Sequence, residues 1–227
     1  MDIPKDLSTL TRLYRTMVRI RAFEDAAEAA SQGGVSAYGK AADGTAKVRG
    51  PLHLSTGQEA VPAGVCAHLR TDDFITSTHR GHGHTLAKGA DMVGMMCELF
   101  GKASGFNGGK GGSMHIADFS VGMLGANGVV AAGLPIAVGA AHAQKLRGTC
   151  GITVCFFGDG AINRGPFLEA LNWAQVYQLP VLFVCEDNRW RATPASGPMT
   201  AGAAASARAA APDIPSTHVD CHAAPAV

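Results

Sequence analysis

Leu10, Leu13, Met17 and Ile20 recur at helical spacing, with Arg12, Arg15, Arg19 and Arg21 between them, which predicts an amphipathic helix opening the chain. Further along, the apolar positions gather into short runs. Residues 152–157 and 181–185 are apolar stretches bounded by Gly, Pro and acidic residues, and they read as buried strands. Residues 73–76 predict a shorter strand leading to His79. Helices are expected over 59–69, 92–100, 134–146 and from about 166 to 176. The small side chains of 134–146 suit close packing on a sheet. Strand and helix alternate, so the expected fold class is α/β, a parallel sheet flanked by helices on both faces.

Two stretches break this rhythm. Residues 33–50 form a Gly-rich, polar loop, longer than most in a compact domain. Residues 101–128 hold nine Gly and predict a long, shaped loop with no core element of its own. Near the end, residues 201–211 are dominated by Ala and read either as one weak helix or as a flexible segment. Residues 221–227 carry no element pattern.

Composition narrows the function classes. The chain has 227 residues, enough for one sizeable α/β domain, with a net charge of +1 and 6% aromatic residues. Scattered Lys and Arg and a near-neutral balance argue against nucleic acid or an anionic membrane as partner. The six Cys make no C-x-x-C pair and several lie in apolar runs, so they read as reduced core residues of a cytoplasmic protein. Met1-Asp2-Ile3-Pro4-Lys5-Asp6 has neither an apolar signal core nor an acid-free transit pattern, and no apolar stretch reaches membrane-spanning length. The nine His show no zinc-ligand spacing.

The candidate chemistry sits just past the two apolar runs. Gly158-Asp159-Gly160 follows the first and Asp187-Asn188 follows the second, at the positions where open α/β sheets bind ligands. Glycines on both sides of Asp159 let another group approach the backbone closely. A carboxylate there would repel a naked phosphate. It makes sense if a hard divalent cation lies between Asp159 and a diphosphate, with Asn188 as a second oxygen ligand. Other nucleotide loops fit worse. Asn163 stands where a dinucleotide fingerprint needs its third Gly, and Gly109-Lys110 lacks both the earlier Gly and the following Ser or Thr of a P-loop.

With Asn163-Arg164-Gly165, Glu169-Ala170-Leu171-Asn172 and Leu179-Pro180-Val181 in order between the two motifs, the stretch resembles the alpha subunits of thiamine diphosphate-dependent 2-oxo acid and acetoin dehydrogenases. The resemblance implies the thiamine diphosphate-binding fold, with thiamine diphosphate and Mg²⁺ as cofactors. It implies that Asp159, Asn188 and the backbone carbonyl of Trp190 hold the metal. His79, Arg80, Gly160 and Ala161 would meet the diphosphate, aided by the N-terminal amides of the helix that follows. Gly128 and Val130 would wrap the aminopyrimidine ring. His53, His79 and His82 would be the catalytic histidines, and Gly111-Gly112-Ser113-Met114-His115 matches a family segment in which His115 either orders the active-site loops or simply packs. His79 stands where most relatives have Tyr, which tilts the expected substrate towards acetoin over pyruvate.

The implied reaction cleaves a carbon–carbon bond of acetoin or a 2-oxo acid and passes the two-carbon unit to a lipoyl group of a partner acyltransferase. The Glu that activates the cofactor lies on the beta subunit in that family, so an α₂β₂ assembly is implied. Residues 1–220 are expected to form the cofactor-binding domain, incomplete at its C-terminus, with 221–227 a divergent tail. The alternatives are an inactive truncated remnant of such a subunit and a transketolase-like thiamine diphosphate enzyme.

Overall fold

A computed structural model describes residues 6–32, 44–48, 50–188, 205–219, 224 and 227. Two compact units emerge. One comprises Met1–Leu69, His79–Ala126 and Val219–Val227, the other Arg70–Thr78 and Asn127–His218.

The second unit holds a parallel sheet. Strand β1 (Phe74–Ser77) pairs with β3 (Thr153–Gly158), and β3 pairs with β4 (Val181–Glu186). Between β1 and β3 runs helix α5 (Gly133–Leu146), and between β3 and β4 runs α6 (Gly165–Val176). Leu134, Ala137 and Val138 of α5 and Phe167, Ala170, Leu171 and Ala174 of α6 close over Cys155 and Phe157 of β3. Val154 and Phe156, which point to the opposite face, are equally buried. A strand buried on both faces has no reason to alternate, which is why residues 152–157 read as one apolar run. Asp73 secures the entry of β1 by accepting the N–H of Ile152 at 2.8 Å and that of Arg70 at 2.7 Å. The Ala-rich segment contributes one short helix, α7 (Ala205–Ala209), with Ala209 in the same core.

The first unit is mainly helical: α1 (Leu7–Ser31), α2 (Ala60–Cys66), α3 (Gly81–Ala87) and α4 (Met92–Leu99), with a short strand β2 (Met123–Ala126). Asp6 caps α1, taking the N–H groups of Ser8 and Thr9 and both hydroxyls. Bonding from the Ser8 and Thr9 side chains, then from their amides, lowers its carboxyl to about 2. Leu13 and Ile20 are buried while Arg12, Arg15, Arg19 and Arg21 stay exposed, as the spacing predicts.

Three expectations are corrected. The Gly-rich segment 101–128 contains β2 as well as loop. The His-rich segment, where no helix is expected, forms α3, with His82 and His84 buried. Cys150 is exposed, although Cys66 and Cys155 lie in the core. No helix among the described residues is long and apolar enough to cross a membrane. Most of the 33–50 loop, the stretch 189–204 with Trp190, and most of the final seven residues lie outside the described residues.

Candidate functional site

In the second unit, parallel pairing brings the ends of β3 and β4 to one level, with Gly158 opposite Glu186. Asp159 and Asp187 therefore leave adjacent strands side by side, and Asn188 follows one residue later. Asp159 is 8% exposed, whereas Asp187 and Asn188 are exposed. The field here is negative. The Cys185 thiol is pushed up to about 12 by burial first, and then by the charges of Asp159, Asp187 and Glu186. A Cβ placed on Gly158 would meet nothing within 4 Å, so space is open beside the strand end. A buried carboxylate, an exposed amide oxygen and a concentrated negative field suit a hard, oxygen-liking cation. Among the described residues, no three His, Cys, Asp or Glu side chains cluster closely enough to hold a metal by themselves.

The helix expected to point its amides at this site starts close to its expected position, six residues past Asp159. A 3-10 turn, Asp159–Asn163, follows the strand, Arg164 is extended, and only then does α6 start at Gly165 with Pro166 in its first turn. The backbone nearest Asp159 is thus that of the tight turn carrying Gly160 and Ala161. Gly128 and Val130 lie in the exposed turn before α5, Val130 with 51% of its surface open. Ala131, next in line, holds a left-handed φ of 75° that favours glycine.

The remaining predicted residues belong to the first unit. The His53 and His79 rings meet edge to face, with centroids 4.7 Å apart. Arg80 donates from its guanidinium to the Leu54 carbonyl. Burial first, then the charge of Arg80, holds the His53 imidazole below its ordinary value, so the neutral ring prevails at pH 7. His53, His79 and Arg80 therefore form one local group, as their motifs suggest. His115 is exposed.

His82 sits elsewhere. It is fully buried, with Nδ1 2.9 Å from Glu24 Oε2 and Nε2 3.0 Å from Ser113 Oγ. A direct encounter with a substrate would require it to surrender one of these partners. The sequence reading overlooked Glu24, Ser55 and Ser113 in this network. It also overlooked Glu98, which accepts four backbone N–H groups from Asn107, Gly109, Gly111 and Gly112. A signal existed. Glu24 lies four residues after Ile20 on the buried stripe of α1, and Glu98 lies between Met95 and Leu99 on that of α4. A carboxylate on an apolar stripe needs a buried partner. A cavity of about 710 Å³ in the same unit is lined by Lys47, Glu98, Lys102, Lys110 and Ser113, among others, and by none of the predicted site residues.

Comparison with known proteins places this geometry in context. The profile of the dehydrogenase E1 component family matches residues 39–227. The chain is 50% identical over 209 residues to the alpha subunit of acetoin:2,6-dichlorophenolindophenol oxidoreductase of Bacillus subtilis (strain 168), covering 92% of this chain and 59% of that protein. To its counterpart of the same name in Cupriavidus necator it is 45% identical over 218 residues, covering 96% of this chain and 62% of that protein. To the pyruvate dehydrogenase E1 component subunit alpha of Porphyra purpurea it is 44% identical over 151 residues, covering 63% and 44%. The chain thus spans about 60% of the length of the two acetoin relatives.

Proposed function

The chain belongs to the dehydrogenase E1 component family, and from that premise we propose that it serves as the alpha subunit of a thiamine diphosphate-dependent dehydrogenase acting on acetoin or pyruvate. The observation that carries the proposal is the pair of register-matched strand ends, past which follow the buried carboxylate of Asp159 and, after the adjacent strand, Asp187 and Asn188, in a negative field. Two relatives named for acetoin, at 50% and 45% identity, support acetoin as the first substrate to test.

In this reading Asp159, Asn188 and the carbonyl of Trp190 would hold Mg²⁺, which would neutralise the charge of a bound diphosphate. Oxygen ligands suit a hard cation. Gly160 and Ala161 offer turn amides to the diphosphate. Arg80 would offer a planar fork of donors to the diphosphate, with His79 as a further contact. Gly128 and Val130 give backbone contacts and an apolar edge to the aminopyrimidine ring. Thiamine diphosphate, when bound, supplies the electron sink that carbon–carbon cleavage requires. His53, largely neutral at pH 7, hydrogen-bonds the substrate oxygen and holds or moves its proton. A beta subunit completes the site in an α₂β₂ complex in the cytoplasm, and a lipoylated acyltransferase takes the two-carbon unit.

The test is Asp159→Ala in the complex assembled with the beta subunit. Calorimetric titration with thiamine diphosphate should lose its Mg²⁺ dependence, and dichlorophenolindophenol reduction with acetoin should cease. Unchanged Mg²⁺-dependent affinity would remove Asp159 from the metal site. Strong preference for a branched-chain 2-oxo acid would overturn the substrate reading.

A further inference from the structure

Glu24 has no place in the chemistry just described, yet it is fully buried and bonds to two distant segments of its unit. Its Oε1 accepts the Ser55 N–H at 3.0 Å and the Ser55 hydroxyl, and its Oε2 accepts Nδ1–H of His82 at 2.9 Å. With that proton committed, Nε2 of a neutral ring is an acceptor, and Ser113 Oγ–H donates to it across 3.0 Å. Ser113 Oγ in turn lies 3.5 Å from the backbone N of His53, whose N–H it accepts. We propose that Glu24 is a positioning residue: through the buried relay Glu24–His82–Ser113, and through Ser55, it sets the backbone that carries His53 and anchors Arg80.

The order Ser–His–Glu imitates a hydrolytic triad, but the geometry does not serve one. Ser113 is 7% exposed and its hydroxyl is already engaged as acceptor from His53 N–H and as donor to His82, so it is not set to attack a substrate carbonyl. The relay instead works on the segment 53–55 from both ends. Ser113 holds the amide of His53, Glu24 holds the amide and hydroxyl of Ser55, and the Leu54 carbonyl between them receives the Arg80 guanidinium. The sense of the bonds is uniform, each donor pointing towards the carboxylate, so a single ionised group polarises the whole chain. Glu24 meets the requirement of ionisation. Burial raises its carboxyl, but the hydrogen bond from His82, followed by the bonds from Ser55, outweighs that and holds it below the ordinary range. A buried carboxylate with its hydrogen-bond partners adds little net stability compared with apolar filling. Its distinctive contribution is direction, and here direction is delivered to the two residues of this unit that the proposed reaction uses most.

The activity assay rests on the dehydrogenase reading; the exchange measurement below does not. In the complex with the beta subunit, Ser113→Ala and Glu24→Gln should each lower kcat about ten- to a hundredfold, the range expected when reacting groups are displaced by a fraction of an ångström to an ångström. KM for acetoin should stay within about twofold, because ground-state binding is not the function removed. The double variant should be no worse than the stronger single one, since both cut the same relay. Ser113→Thr, which keeps the hydroxyl, should recover most of the loss. Amide hydrogen exchange at His53 should accelerate in Glu24→Gln, although Glu24 touches neither that amide nor its acceptor. Losses that multiply in the double variant, or unaltered exchange at His53, would overturn the relay. Should Ser113→Ala fail to assemble, Ser113→Cys provides the same comparison at nearly the same volume. A wild-type complex inactive on both substrates would sink the dehydrogenase reading, and the exchange result would still decide the relay.

Discussion

Replacing Glu98 by Gln should release the Gly-rich loop. Glu98 is fully buried, and its two oxygens accept N–H groups of Asn107 at 2.8 Å, Gly109 at 2.9 Å, Gly111 at 2.7 Å and Gly112 at 3.1 Å. A hydrogen bond to a charged acceptor contributes a net of about 1.5–3 kcal/mol. Gln has the same shape but only one acceptor oxygen. It keeps two bonds and turns its NH₂ towards the other two donors. Two lost bonds at the low end of that range, because the loop is half-buried and water recovers part, give about 3 kcal/mol. At 1.4 kcal/mol per factor of ten, local opening becomes about a hundredfold more frequent. Amide hydrogen exchange at residues 107–112 reads this directly, with α5 amides as an internal control. The wild type also carries a pH signature. Burial raises the Glu98 carboxyl, but the four amides outweigh it and hold the folded value below the ordinary one. A carboxylate lowered on folding stabilises fully above its unfolded value near about 4.3, and that contribution is lost as pH falls through the lowered folded value. Protection should therefore weaken on acidification below about 4.3 in the wild type and not in the variant. Exchange in Glu98→Gln within about threefold of wild type would show that the bonds are not what holds the loop.

Two further outcomes follow from the same unit. Gly109 has φ +75°, and a Cβ there would stand 2.3 Å from the Gly101 carbonyl carbon and 2.7 Å from its oxygen, so Gly109→Ala should destabilise the protein by at least about 3 kcal/mol, read as a lowered melting temperature; a wild-type melt would show that residue 101 yields freely. In NMR titration the His53 ring should titrate below the ordinary histidine value, and Arg80→Gln should move it up by removing a nearby positive charge. Because the folded value is depressed, the associated stability is full above the ordinary value near about 6.5 and falls as pH drops below it. A wild-type His53 titrating at or above that value would contradict the burial of its ring.

Much of the frame was legible because it is written locally. The spacing of Leu13 and Ile20, the small residues of α5 and the apolar runs of β3 and β4 state their own burial, and the bounds of α5, β3 and β4 differ from expectation by at most one residue. The placement of Asp159 and Asn188 past strand ends followed from the same reading, since a parallel strand delivers whatever comes next to its C-terminal edge. Two elements were not legible. β2 is four residues, Met-Leu-Gly-Ala, inside a glycine-rich stretch, with no alternation to mark it. α3 has two Gly and two His in seven positions, a composition that does not favour helix, and burial of His82 and His84 against the rest of the unit overrides it. The sharpest difference concerns His82. Its motif placed it among reacting groups, and the fold turned it inward, because Glu24, 58 residues earlier, and Ser113, 31 residues later, meet its two nitrogens. Helical and strand periods depend on neighbours a few positions apart and so are determined by the sequence directly. The partner of a buried charge depends on which distant segments come together, and only the tertiary structure decides that.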